Sequence, residues 1–96
     1  LPVPAYVVIE VQVTDPVAYE AYRTRMPASI ERHGGRPLAR GFTERLEGDS
    51  PLDRMSILEF PDAETVKRWF ESEEVRELSA MRCASSLSTA KMIIPT

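Results

Sequence analysis

Ala5-Tyr6-Val7-Val8-Ile9-Glu10-Val11-Gln12-Val13 leads directly into Thr14-Asp15-Pro16, and these two pieces decide the architecture. The first is rich in β-branched residues and alternates with a period of two. Val7, Ile9, Val11 and Val13 make one apolar face, and Tyr6, Val8, Glu10 and Gln12 make a mixed one. A mixed second face is the pattern of a sheet that helices cover on one side only. Asp15 is placed to cap a helix, its carboxylate accepting a first-turn N–H. Pro16 at the first helical position lacks an N–H that would have no partner there anyway.

Working outward, Ala18, Tyr22, Met26 and Ile30 recur at four-residue spacing, with Tyr19 beside them. This predicts a helix running to about His33. Pro27 removes one of its hydrogen bonds, and Gly34-Gly35 ends it. Residues 36–47 read as a second strand, with Pro37 near its start or at an edge and Gly41 at a bulge or close approach. Gly48-Asp49-Ser50-Pro51 is loop chemistry, and residues 53–60 read as a third strand in a hairpin with the second. Asp62 caps a helix over about 63–71 that buries Val66, Trp69 and Phe70. Ser72 caps another helical piece reaching about Ala84, which buries Val75, Leu78 and Met81. Residues 88–95 close as a last strand.

The order is β-α-β-β-α-β, the signature of an α+β ferredoxin-like fold with an antiparallel four-stranded sheet. The helix-free sheet face carries too much apolar surface to stay wet. A homodimer through this open sheet face, forming a dimeric α/β barrel, is therefore expected.

The 96 residues fit one domain, 1–96. Hydrophobic residues at 43% and charged residues at 28% are ordinary for a globular protein. A net charge of −3 argues against nucleic acid as a partner, because phosphate binding needs a basic face. No apolar run approaches a membrane span and no secretory h-region is evident, so no membrane partner and a cytoplasmic location are expected. The one cysteine, Cys83, excludes an internal disulfide and a multi-cysteine zinc site. Neither metal nor cofactor is expected.

Several segments occur in an order that resembles a known family. They are Tyr6–Glu10, Asp15-Pro16 with Tyr19 and Tyr22, His33-Gly34-Gly35-Arg36, Leu38-Ala39-Arg40-Gly41, Leu46–Asp49, Leu58–Pro61, and Trp69–Ser72 with Val75. Together they are similar to the family of domains of unknown function numbered 1330, within the dimeric α/β-barrel superfamily. Phe42 stands where the family often has a second glycine, and it would reshape a cavity wall. Glu73 and Val75 stand where Pro and Tyr are common. The resemblance implies a fold and a dimer but no agreed activity. The superfamily includes cofactor-independent monooxygenases, muconolactone-type isomerases, haem-degrading enzymes and ligand-binding modules, and fold analogy does not choose among them.

His33, the only histidine, is a candidate general base. Alternatively, it serves the negative helix end where it lies. Arg40, flanked by Leu38 and Phe42, suggests a fork for a carboxylate in a cleft, or else an ion pair with Glu10 or Glu59. Those two carboxylates occupy matching places on central strands, where charge is costly unless paired or facing a wet cavity. One of them could act as a base, or they could pair with Arg40 or Arg54. Tyr6 and Phe42 would line a wall. Tyr19, Tyr22 and Trp69 are pocket candidates or simply aromatic core. Two functions follow. In one, a cofactor-independent enzyme, monooxygenase- or isomerase-like, acts on a small anionic or aromatic metabolite. His33 or Glu10 would move a proton, and Arg40, Tyr6, Phe42 and Glu59 would bind. In the other, a non-catalytic dimeric module binds a ligand or is packed shut.

Overall fold

The first strand, β1 (Ala5–Val13), turns Ala5, Val7, Ile9 and Val11 inward and keeps Tyr6, Val8, Glu10 and Gln12 half-buried on the other face. The computed structural model describes residues Val3–Thr96, so Leu1 and Pro2 lie outside the described residues. The Asp15 carboxylate accepts the Ala18 N–H at 3.2 Å and starts α1 (Pro16–Arg32). The buried stripe of α1 is Tyr19, Tyr22, Met26, Ser29 and Ile30. Ala18, expected within it, is exposed, because Tyr19 occupies the position that meets the sheet. The helix ends in a Schellman turn. Gly35 N–H donates to the Ile30 carbonyl and Gly34 N–H to the Glu31 carbonyl, each at 3.0 Å. Gly34 takes the left-handed conformation this turn requires, with φ +79°.

The second strand, β2 (Arg36–Phe42), is shorter than the span 36–47 read from sequence. Its pairing ends with the Thr43 N–H to Asp53 carbonyl bond at 2.8 Å. Beyond it Leu46 is 95% exposed, so no apolar contact extends the ladder there. The third strand, β3 (Arg54–Phe60), completes the expected hairpin. Asp62 and Ser72 cap α2 (Ala63–Glu71) and α3 (Glu73–Ser85). Val66 and Trp69 are buried on α2, whereas Phe70 is 39% exposed and sits at the margin of the expected stripe. The last strand, β4 (Ser86–Ile93), starts two residues earlier than read. α3 passes into β4 without a loop, and the Thr14 and Asp15 N–H groups both donate to the Ser85 carbonyl, tying the β1–α1 turn to this junction.

The sheet order is β2-β3-β1-β4, and all three pairings are antiparallel. This is the ferredoxin-like arrangement, with the helices on one face. Phe60 (1% exposed) packs on Trp69 (0%) with ring centroids 4.9 Å apart, and Val75 and Leu78 complete the centre of the core. Among the described residues, no helix is long and apolar enough to cross a membrane.

Candidate functional site

Strand register decides which candidate residues can meet, because side chains directly opposite on adjacent strands share a face. On the helix-covered face, Ile9, Ser56 and Arg40 form one row, and Val11, Arg54 and Phe42 the next. On the open face, Glu10 lies beside Met55, and Tyr6 beside Glu59 and Arg36. The register of β2 shifts between Pro37 and Ala39, leaving Leu38 as the extra residue of a bulge. Such an insertion flips every residue beyond it relative to a simple alternation. Arg40 and Phe42 therefore lie on the helix side of the sheet, opposite the face that holds Tyr6, Glu10 and Glu59. The expected gathering of Arg40 with Glu10 and Glu59 on one face does not occur.

Glu59 instead pairs with Arg36, whose Nε and Nη2 lie 2.9 and 2.8 Å from its Oε1. Neither Arg40 nor Arg54 is its partner. Glu10 makes no ion pair among the described residues. His33 is the C-cap residue of α1, with Nδ1 2.9 Å from the Ser29 carbonyl oxygen, so its ring closes the helix end. Trp69 is core, and its Nε1 donates to Ser29 Oγ at 3.4 Å.

Between α1 and the β2–β3 side of the sheet opens a cleft of about 310 Å³. Ile9, Val11 and Leu58 form its floor, and Tyr19, Tyr22 and Met26 its roof. Arg23, Arg40, Phe42 and Arg54 also line it. Its volume is at the low end of small-molecule sites, which suits a molecule of one or two rings. No Asp, Glu or His is among its lining residues. The nearby Glu20 carboxylate is gripped by Arg23, which donates from Nε at 2.9 Å and from Nη2 at 2.6 Å. That pairing holds the Glu20 carboxyl below its ordinary value. Burial, and then the neighbouring Tyr22, push the Tyr19 phenol up from 10.0. Tyr19 therefore keeps its proton at neutral pH.

Arg54 lies with its guanidinium carbon 4.9 Å from the Phe42 ring centroid and 5.7 Å from that of Tyr19. Alternation along β3 puts Arg54 on the face of Ser56, Leu58 and Phe60, and that signal was available in the sequence. Sequence reasoning weighed Arg54 only as an ion-pair partner, and it gave Arg82 no role. Arg82 is 3% exposed and ties three elements together, donating from Nε to Ser88 Oγ at 3.3 Å and from Nη1 to the Tyr22 hydroxyl at 3.4 Å. Its spacing from Val75 and Leu78 on the buried stripe of α3 marks it.

No functionally curated protein matches the chain in sequence. Among solved structures, the RPA0582 protein of unknown function from Rhodopseudomonas palustris is similar over 100% of this chain and 85% of its own, at 23% identity and a TM-score of 0.81. A variant of SnoaB, a cofactor-independent oxygenase from Streptomyces nogalater, is similar over 97% of this chain and 93% of its own, at 17% identity and a TM-score of 0.71. A protein from Arabidopsis thaliana is similar over 96% and 95%, at 12% identity and a TM-score of 0.76. At these identities the likeness shows the fold. The model of the domain of unknown function DUF1330 matches residues 4–95, nearly the whole chain, and the protein belongs to that family.

Proposed function

We propose that this protein binds a small, flat, largely apolar molecule in the cleft between α1 and the sheet. The carrying observation is a cleft of about 310 Å³ with Ile9 and Val11 below, Tyr19 and Tyr22 above, and arginines on its lining. Arg40 and Phe42, both exposed, form the outer wall against which the ligand packs. His33, Glu10, Tyr6 and Glu59 lie outside the cleft, and this reading gives them no part in it. Without a carboxylate or imidazole in the lining, the cleft is better furnished for binding than for proton abstraction. The likeness to SnoaB supports a second, enzymatic version, cofactor-independent oxygenation of a bound aromatic. Its signature would be oxygen uptake that depends on the same cleft residues.

Self-association through the open sheet face belongs to the same reading. Leu87 and Ile93 are 54% and 50% exposed there, beside Val8, Met55 and Ile57. Pairing two such faces would bury surface that a chain of this size cannot cover alone. It would leave the cleft, on the opposite face, accessible.

The test is an amide NMR titration with 2-naphthol, backed by native mass spectrometry for oligomer mass. Saturable shifts at Ile9, Tyr22 and Met26, lost in Ser56→Leu and weakened in Arg40→Ala with the oligomer unchanged, are the expected result. Shifts confined to Val8 and Ile57, or no saturable response, would overturn the assignment.

A further inference from the structure

We infer that Arg54 is the anion-recognition residue of the cleft and that the ligand class is an aromatic carboxylate. This rests on the cleft being the binding site, and it adds the chemistry of the ligand's polar end. The three arginines lining the cleft are not equivalent. Arg23 spends two donors on Glu20, at 2.9 and 2.6 Å. Arg54 is the half-buried one, set at the end of β3 between its row neighbours Val11 and Phe42. Its guanidinium is held by the faces of two rings, Phe42 at 4.9 Å and Tyr19 at 5.7 Å.

Ring faces attract the charge but accept little from its N–H groups. Among the described residues, no carboxylate lies within 4.0 Å of Arg54 and no oxygen accepts a hydrogen bond from it. Five arginines, Arg23, Arg25, Arg32, Arg36 and Arg68, pair with carboxylates. Among the described residues Arg40, in the same cleft, has no carboxylate partner either, but it is exposed to solvent whereas Arg54 is half-buried. Arg54 is instead positioned, without a partner, against an aromatic-lined cleft.

A guanidinium is planar, permanently charged, and presents parallel N–H pairs whose spacing matches the two oxygens of a carboxylate. The ligand's ring would continue into the cleft over Ile9 and Val11, and the protonated Tyr19 hydroxyl would remain available as a further donor. Phe42 gains a specific role in this arrangement. It is 77% exposed, and its ring lies 4.9 Å from the Arg54 guanidinium carbon. Nothing covalent is required, and the proposal concerns binding only.

Two probes of the same shape separate charge from shape: 2-naphthoate and its neutral amide, 2-naphthamide. Dissociation constants are measured by calorimetry or NMR on the full chain and on Arg54→Gln, Arg54→Lys and Arg40→Gln, with thermal unfolding run on each variant. The wild type is expected to prefer the carboxylate by about tenfold to a hundredfold. In Arg54→Gln the preference falls to near unity while amide affinity is retained. Arg54→Lys keeps the charge without the fork and recovers part of the preference. Arg40→Gln weakens both probes alike. Equal binding of the two probes to the wild type overturns this inference and leaves the binding cleft standing. A preference that survives in Arg54→Gln also overturns it, as does one lost only in Arg40→Gln. Failure of both probes to bind the wild type removes the cleft reading, and this inference with it.

Discussion

Replacing Gly35 by alanine would test the packing between the end of α1 and β3. A Cβ built at Gly35 lies 2.6 and 2.7 Å from two Phe60 ring carbons and 2.9 Å from Ile30 Cγ2. Ordinary contact begins near 3.4 Å, so the ring would have to withdraw by about 0.8 Å and Ile30 by about 0.5 Å. Neither has room. Phe60 is 1% exposed and stacked at 4.9 Å on Trp69, which is fully buried. Overpacking of this kind costs about 1–3 kcal/mol, and two simultaneous clashes on immobile groups place Gly35→Ala near the upper value. For a domain of this size that corresponds to a loss of about 12–24 °C in melting temperature. Gly34→Ala supplies the internal comparison. Its Cβ would meet only Pro61, at 3.7 Å, but φ is +79°, so its cost is backbone strain of about 1–2 kcal/mol. Thermal and urea unfolding, followed by Trp69 fluorescence, should rank Gly35→Ala below Gly34→Ala. In a Phe60→Leu background the Gly35→Ala penalty should shrink, because the two positions share one contact. A Gly35→Ala protein within about 1 kcal/mol of wild type, or one more stable than Gly34→Ala, would refute the packing described between the end of α1 and β3.

Ser72→Ala should cost about 1 kcal/mol in urea unfolding, because that hydroxyl accepts from Val75 N–H to start α3 and donates to the Trp69 carbonyl at the end of α2. Tyr19→Phe should flatten the alkaline limb of the stability profile. With its phenol held above 10.0 by burial first and Tyr22 second, the folded protein keeps a proton the unfolded chain releases. The contribution is thus full below pH 10 and is lost as pH rises through the folded value. The acid limb has its own marker in Asp62, held below 3.8 by the Thr65 hydroxyl and then its N–H. That contribution is present above 3.8 and is lost as pH falls through the folded value, so Asp62→Asn should unfold with a shallower dependence there.

The strand–helix alternation was legible because each signal is local. Asp15, Asp62 and Ser72 cap where they stand, and Gly34 takes the left-handed turn after α1. Boundaries were less legible where a partner strand sets them. Residues 43–47 continue the segment read as a strand, but the pairing ends with the Thr43 N–H to Asp53 carbonyl bond. Four of the named site candidates fell into two places: Arg40 and Phe42 in the cleft, and Tyr6 and Glu59 on the opposite face. One inserted residue, Leu38, separates the two outcomes.

By itself, then, the sequence determined the element order, the caps, the helix stripe of Tyr22, Met26 and Ile30, and the division of β1 into an apolar and a mixed face. Periodicity and capping act within a few residues of chain, and the fold class follows from them. Only the tertiary structure decided which side of the sheet Arg40 and Phe42 occupy, that Glu59 answers to Arg36, and that Arg54 rests on Phe42 and Tyr19. Those facts depend on strand register, on a bulge and on contacts between distant segments. A period of two carries the same signal on either face until a neighbouring strand fixes the count.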